Sequence, residues 1–330
     1  VLSEGECSLN PVQSKTQCST KQQKEEPSEM TASTYPPASL RLLAVHAHPD
    51  DESSKGAATM AMYAASGVDV MVATCTDGSR GDIQNPAMET APHPKRDMAG
   101  ARRLEMAQAA KVLGIRQRWL GFVDSGLPEG EPLPPLPPGS FALQPLERAT
   151  APLVRLVRDF RPHVILSYDE NGGYPHPDHI MAHRVAVEAF EAAGDPGKYP
   201  GIGEPWMPSK LYYDRAFSPE RFRALHFALE EAGLQSPYAE RLAGWLETDA
   251  EGHTPPLPKH QTTTQIDCGD YFEARDDALR AHRTQVDPLG FFFAVSPEMQ
   301  RRAWPWEDYT LVKSRIQTQL PEKDLFAGLR

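Results

Sequence analysis

RLLAVHA at 41–47 runs directly into HPDDE at 48–52, and GAATMAMYAA follows at 56–65. A short apolar run of this kind suits a strand buried on both faces. The alanine-rich stretch behind it reads as a helix, stopped by Gly67. VDVMVAT at 68–74 is a second strand, and it opens into the loop DGSRGD. The same alternation continues with a helix over 97–113 halted by Gly114, a strand at 117–122, a helix over 145–160, the strand HVILSY at 163–168 and a helix over 178–193. Strand and helix in alternation predict an α/β fold, a parallel sheet flanked by helices. Beyond residue 205 the rhythm loosens: strands at 210–215 and 262–268 and helices over 219–232 and 270–284 suggest a smaller C-terminal region. The expected organisation is a tail at 1–38, a core at 39–205 and the smaller region at 206–330.

The tail is rich in Ser, Thr, Gln, Lys and Glu and poor in large apolar side chains, so it is expected to be disordered. Met30 is the expected native start, with residues 1–29 an upstream extension. Across the 330 residues, 34 Lys and Arg stand against 45 Asp and Glu, a net charge of −11. That balance argues against nucleic-acid partners, which need basic surface, and against docking on an anionic membrane. No apolar run reaches the roughly 18 residues of a spanning helix. Four scattered cysteines, none in a CxxC pair, argue against a disulfide scaffold or a thiolate metal cage, and a cytoplasmic location is expected. Proline is in excess, 32 residues, with clusters at 126–139 and 254–259. Stiff surface loops are one reading of these clusters, and walls of a cleft are the other.

Chemistry concentrates at two strand ends. His48-Pro49-Asp50-Asp51-Glu52 follows the first strand, and His176-Pro177-Asp178-His179 follows the fourth and opens a helix. In open parallel sheets ligands bind beyond the carboxyl ends of the strands, so the two motifs can share one crevice. Either motif alone also suits a turn with an Asp cap. Together they offer His, Asp and His, a frequent three-ligand set for catalytic zinc with water in the fourth position. Zinc acidifies that water and polarises a carbonyl. Asp50 or Glu52 is then spare as a base, and His176 is spare to protonate a leaving amine. These are the parts of metal-assisted amide hydrolysis. No GxGxxG follows the first strand and no GxxxxGK[ST] occurs, so nucleotide folds lose support.

AHPDDE at 47–52 with HPDH at 176–179 resembles the signature pair of the LmbE-like (PIG-L) zinc deacetylases. The likeness extends through ENGGYPHPDHIMAH at 170–183, LRAHRTQVDP at 279–288, WPWEDY at 304–309 and LPEKDLFAG at 320–328. It implies a Rossmann-like parallel sheet whose C-terminal region completes the substrate cleft. It also implies one Zn2+ per chain, or Fe2+, held by His48, Asp51 and His179. Asp50 is implied as the general base, His176 as the acid or transition-state stabiliser with Asp178 as its orienting partner, and Tyr174 as a donor to the oxyanion. Lys55 and Arg102 are implied as substrate contacts, with Arg103 the alternative register for the second. His282 is expected near the metal or packed in a helix, and His46 and His183 as packing or supporting residues. At Ser79, where relatives carry Glu, the chain departs from the pattern. Within the family the likeness is nearest to amidases that split mycothiol S-conjugates into a mercapturic acid and GlcN-Ins. Deacetylation of GlcNAc-Ins or of an amino-sugar antibiotic is the alternative, and a non-catalytic thiol-sugar-binding paralogue a further one. The implied partner is a small thiol-sugar conjugate.

Overall fold

Leu42 and Ala44 face one side of the first strand, Leu43 and Val45 the other, and all four are fully buried. A strand with no polar face has to lie inside a sheet covered on both sides. The computed structural model describes residues 39–246 and 259–330. The expected tail, the Met30 start and all but the last residue of the second proline cluster lie outside the described residues.

The strands are β1 (Arg41–His46), β2 (Asp69–Thr76), β3 (Arg116–Phe122), β4 (Val164–Ser167), β5 (Lys210–Asp214), β6 (Thr264–Asp267) and β7 (Trp306–Ser314). They form one sheet in the order β3-β2-β1-β4-β5-β7-β6. The five from β3 to β5 run parallel, and β7 is antiparallel to both of its neighbours. The helices are α1 (Asp51–Ser54), α2 (Ala57–Ala65), α3 (Pro92–Arg96), α4 (Met98–Leu113), α5 (Leu146–Phe160), α6 (Pro177–Ala192), α7 (Pro219–Glu231), α8 (Ala239–Leu246), α9 (Phe272–Ala281) and α10 (Pro297–Ala303). α2, α4 and α9 cover the Leu42 face, and α5 and α6 cover the Leu43 face. The side of the sheet reverses between β1 and β4. The loops leaving these two strands therefore part and leave a crevice at their carboxyl ends, where both histidine motifs lie.

The alternating elements of the sequence are present within a residue or two of their expected ends, and Gly114 stops α4 in the left-handed conformation. β7 has no counterpart in the sequence reading. It carries Glu307 and Asp308, which break the apolar pattern of a strand. Each is satisfied by partners outside the strand. Glu307 accepts from the Ala58 and Thr59 N–H groups at 3.3 and 2.9 Å, in the first turn of α2. Asp308 accepts from Ser218, Gln265 and Trp304 at 3.2, 2.9 and 2.9 Å.

The C-terminal segment is pinned beneath β5. Lys210, fully buried, places Nζ 2.5 Å from Glu322 Oε1, while Tyr212 donates to Oε2 at 2.5 Å. Removing one partner of a buried pair strands the other charge. Glu322→Leu is expected to lower the unfolding free energy by about 3–5 kcal/mol. Adding Lys210→Met is expected to restore most of the loss; urea denaturation of the two variants measures both.

Candidate metal centre

The chain leaving β1 doubles back so that the His48 N–H donates to Asp51 Oδ2 at 2.9 Å, which turns both side chains to one side of the loop. Beside it, the loop after β4 enters α6 through His176, whose Nδ1 accepts from the Asp178 N–H at 3.1 Å. His179 follows in the first turn of α6, with Nδ1 2.9 Å from the Gly172 carbonyl. Gly172 has φ +73°, and a Cβ there would lie 2.5 Å from His179 Cβ. Only glycine allows that approach.

His48 Nδ1, Asp51 Oδ2 and His179 Nε2 then form a triangle with edges of 3.5, 3.4 and 3.3 Å. A tetrahedral ion with bonds of about 2.0–2.1 Å has its ligands about 3.3–3.4 Å apart. The donor chemistry fits as well. His48 Nε2 faces Asp178 Oδ2 at 3.3 Å and Asp124 Oδ1 at 3.5 Å, and His179 Nδ1 faces a carbonyl. Each ring thus carries its proton on the outer nitrogen and leaves the inner one free for a metal. Asp51 is 3% exposed and anchored on both oxygens, by Lys55 Nζ at 2.7 Å on Oδ1 and by the Tyr168 hydroxyl at 2.8 Å on Oδ2. Burial alone would raise its pKa, but His179 and Lys55 hold it well below the ordinary carboxylate value. His48, Asp51 and His179 therefore fit a small divalent cation.

Against the His48 corner of this triangle opens a cavity of about 330 Å3, lined by His48, Asp50, Arg102, Asp124, Tyr174 and His176 among others. Asp50 stands at φ 119°, a left-handed value that costs a non-glycine residue on the order of 1–3 kcal/mol. Burial pushes its carboxyl upward, opposed by Arg102, whose Nη2 lies 3.0 Å from Oδ2. Burial above all brings the His176 pKa down to about 4, so its imidazole is neutral. With Nδ1 accepting from the backbone, the proton of His176 sits on Nε2. Tyr174 is 41% exposed at the rim, its ring 4.6 Å from that of His179. Gly126, Leu127 and Glu129 bring the start of the first proline cluster into the wall, while Ser79 is absent from the lining.

This geometry bears on two sequence expectations. The Lys55 ammonium, 5% exposed, is committed to Asp51 and does not line the cavity, so it supports a candidate ligand instead of meeting a substrate. The Asp178 carboxylate does not orient His176. It takes hydrogen bonds from the Ser125 N–H and hydroxyl and faces His48, and only its backbone N–H reaches His176. Arg102 is the arginine of its pair that enters the site, whereas Arg103 lies over Trp119. His46 and His183 both contact Tyr168, the first at its hydroxyl and the second at its carbonyl. Tyr168, Asp124 and Ser125 went unnoticed in the sequence. Their signal was position alone, since each is a polar residue just past a strand's carboxyl end.

Residues 43–190 match the family described as PIG-L, GlcNAc-PI de-N-acetylase. The chain is also 54% identical over 293 residues to the mycothiol S-conjugate amidase of Streptomyces coelicolor, a match spanning 88% of this chain and 98% of that protein. The chain belongs to the PIG-L family. A second PIG-L-type relative is the 1D-myo-inositol 2-acetamido-2-deoxy-alpha-D-glucopyranoside deacetylase of Streptomyces scabiei. It is 40% identical over 298 residues, 88% of this chain and 90% of that one. Among solved structures, N,N'-diacetylchitobiose deacetylase from Pyrococcus horikoshii superposes with a TM-score of 0.54 over 83% of this chain and 84% of its own, at 17% identity, which concerns the fold alone. Among the described residues no helix is long and apolar enough to cross a membrane.

His179→Ala is expected to lose the metal from the purified protein, measured by elemental analysis. Tyr168→Phe, which takes the hydroxyl from Asp51 and from the Ala47 N–H and His46 that also meet it, is expected to weaken metal binding about 10–100-fold in a chelator competition.

Proposed function

We propose that this protein is a zinc-dependent amidase that hydrolyses the amide bond of mycothiol S-conjugates, releasing an N-acetylcysteine S-conjugate and GlcN-Ins. It would serve thiol-based detoxification in the cytoplasm. The observation that carries the reaction class is the His48–Asp51–His179 triangle, whose His48 lines a cavity together with Asp50. The choice of substrate is supported by 54% identity to an amidase of that name along nearly its whole length. The cavity walls carry Arg80, Asp82, Arg102 and Gln285, which suits a ligand rich in hydroxyl groups. Gln285 comes from residues 206–330, in keeping with a C-terminal region that completes the cleft.

Zinc, held by His48, Asp51 and His179, would acidify a water and polarise the scissile carbonyl. Asp50, its carboxyl raised by burial, takes the proton of the attacking water. Tyr174 and the Nε2–H of His176 face the carbonyl oxygen as donors while its negative charge develops. A neutral imidazole is a poor acid, so His176 serves as a donor to that oxygen, and the proton taken by Asp50 passes to the departing amine. Arg102 keeps Asp50 in place through its carboxylate. The second reading, deacetylation of GlcNAc-Ins, uses the same machinery and is favoured by the deacetylase relative at 40% identity.

Purified enzyme given a bimane conjugate of mycothiol and GlcNAc-Ins side by side is expected to cleave the conjugate preferentially, with products read by mass spectrometry. Preference for GlcNAc-Ins supports the second reading, and no product from either removes both. Asp50→Ala is expected to keep its metal and lose at least about 100-fold in kcat, the scale of a positioned general base. Turnover within a few-fold of wild type would refute the role of Asp50.

A further inference from the structure

Asp50 sits in a conformation that its own side chain disfavours, so something must hold it there. Arg102 takes hold of the Pro49 carbonyl and of Asp50 Oδ2. The backbone is held on both sides: the Asp50 carbonyl accepts from the Ser53 and Ser54 N–H groups at 3.0 and 3.1 Å, and the Asp50 N–H, on the side of φ, donates to the Glu52 side chain at Oε2, 2.9 Å away. Glu52 is itself fully buried, and its other oxygen receives the Ser53 hydroxyl at 2.5 Å and His282 Nε2 at 2.6 Å. His282 is fully buried too, and it ends α9, some 230 residues along the chain from its partner. The segment after it is locked in place. Thr284 donates to Glu105 through N–H and hydroxyl at 2.8 and 2.7 Å, and its carbonyl accepts from the Gln84 N–H at 2.8 Å. Neither Glu52 nor His282 lines the cavity.

We propose that the buried Glu52–His282 pair is a positioning device for the general base, by which the C-terminal region holds the strained backbone of Asp50 in its catalytic conformation. The proposal rests on the reading of Asp50 as base. Without His282, the Glu52 carboxylate loses the partner that fixes its Oε1 and turns from its place. The Asp50 N–H is then released, and the residue relaxes out of its left-handed conformation, carrying its carboxylate away from the cavity floor. The metal triangle does not pass through either residue and stays intact. The expected signature is a loss of turnover without loss of metal or of substrate binding.

Wild type, His282→Ala, His282→Gln, Asp50→Ala and the Asp50→Ala/His282→Ala double variant are compared on the mycothiol conjugate, with zinc content determined for each. His282→Ala is expected to lower kcat at least about tenfold with KM within about twofold and one metal per chain. His282→Gln, whose amide can still donate to Glu52, is expected to recover kcat to within about threefold of wild type. In the Asp50→Ala background the second substitution is expected to cost nothing more, because the group it positions is already gone. A crystal structure of His282→Ala is expected to show Asp50 at negative φ. Should His282→Ala fail to fold, Glu52→Asp takes its place. It keeps the charge but is one methylene too short to reach both partners, and the same kcat-only loss is expected. An unchanged kcat, an equal loss in both backgrounds, or loss of metal with a raised KM would overturn the proposal. If wild type cleaves no amide offered, the functional reading fails instead, and the φ of Asp50 in the variant crystal still decides the positioning.

Discussion

A carboxylate withdrawn from water governs this site. Asp51 lies 3% exposed at the carboxyl end of β1, and an uncompensated charge there would cost several kcal/mol. Its compensation comes from four separate places: the His48 N–H of its own turn, Lys55 one turn later, Tyr168 at the end of β4 and His179 on α6. The first two are local to the turn, whereas Tyr168 and His179 reach it only if β1 and β4 are neighbours and α6 starts at the right height. The ion pair with Lys55 and the bond from Tyr168 keep the carboxylate ionised with its Oδ2 turned toward the two imidazoles. The conformation that stabilises the buried charge is thus the one that presents it to a metal.

The sheet topology supplies the room above it. Because the crossovers change sides between β1 and β4, the loops diverge and the cavity opens where the two motifs meet. The neighbouring strand ends add Asp124 and Ser125, which tie β3 to His48 and Asp178. The C-terminal strands extend the sheet, and the segment that follows α9 returns to the motif through His282 and to the cavity wall through Gln285. Strain at Asp50 is braced by Arg102 of α4, by Glu52 and by the Ser53 and Ser54 N–H groups of α1.

Much of this was legible in the residues. The apolar runs at β1, β2 and β4 could be read because a strand covered on both faces has no polar positions to confuse the pattern. The candidate ligands were legible because histidine and aspartate at the ends of such runs have no packing reason to be there. β7 was not legible, since Glu307 and Asp308 are satisfied by α2 and by Ser218, Gln265 and Trp304, partners distant in sequence or in other elements. Lys55 and Asp178 were legible as polar residues beside the motifs but not by role. Which way a side chain turns depends on the partner that packs against it: Lys55 turns to Asp51, four residues before it, and the Asp178 carboxylate to Ser125, 53 residues away, so only the second partner was hidden from the neighbouring chain.

The sequence by itself determined the alternation of strand and helix, the two motifs at strand ends and the donor types they offer. These follow from local chemistry: hydrophobic period, glycine stops and residue type. Only the tertiary structure decided which strands are adjacent, that Tyr168 and Asp124 join the site, that Lys55 supports a ligand, and that His282 meets Glu52. Apart from Lys55, which lies four residues from Asp51, these depend on residues far apart in the chain, brought together by the packing of the whole sheet and its helices and by no stretch of chain alone.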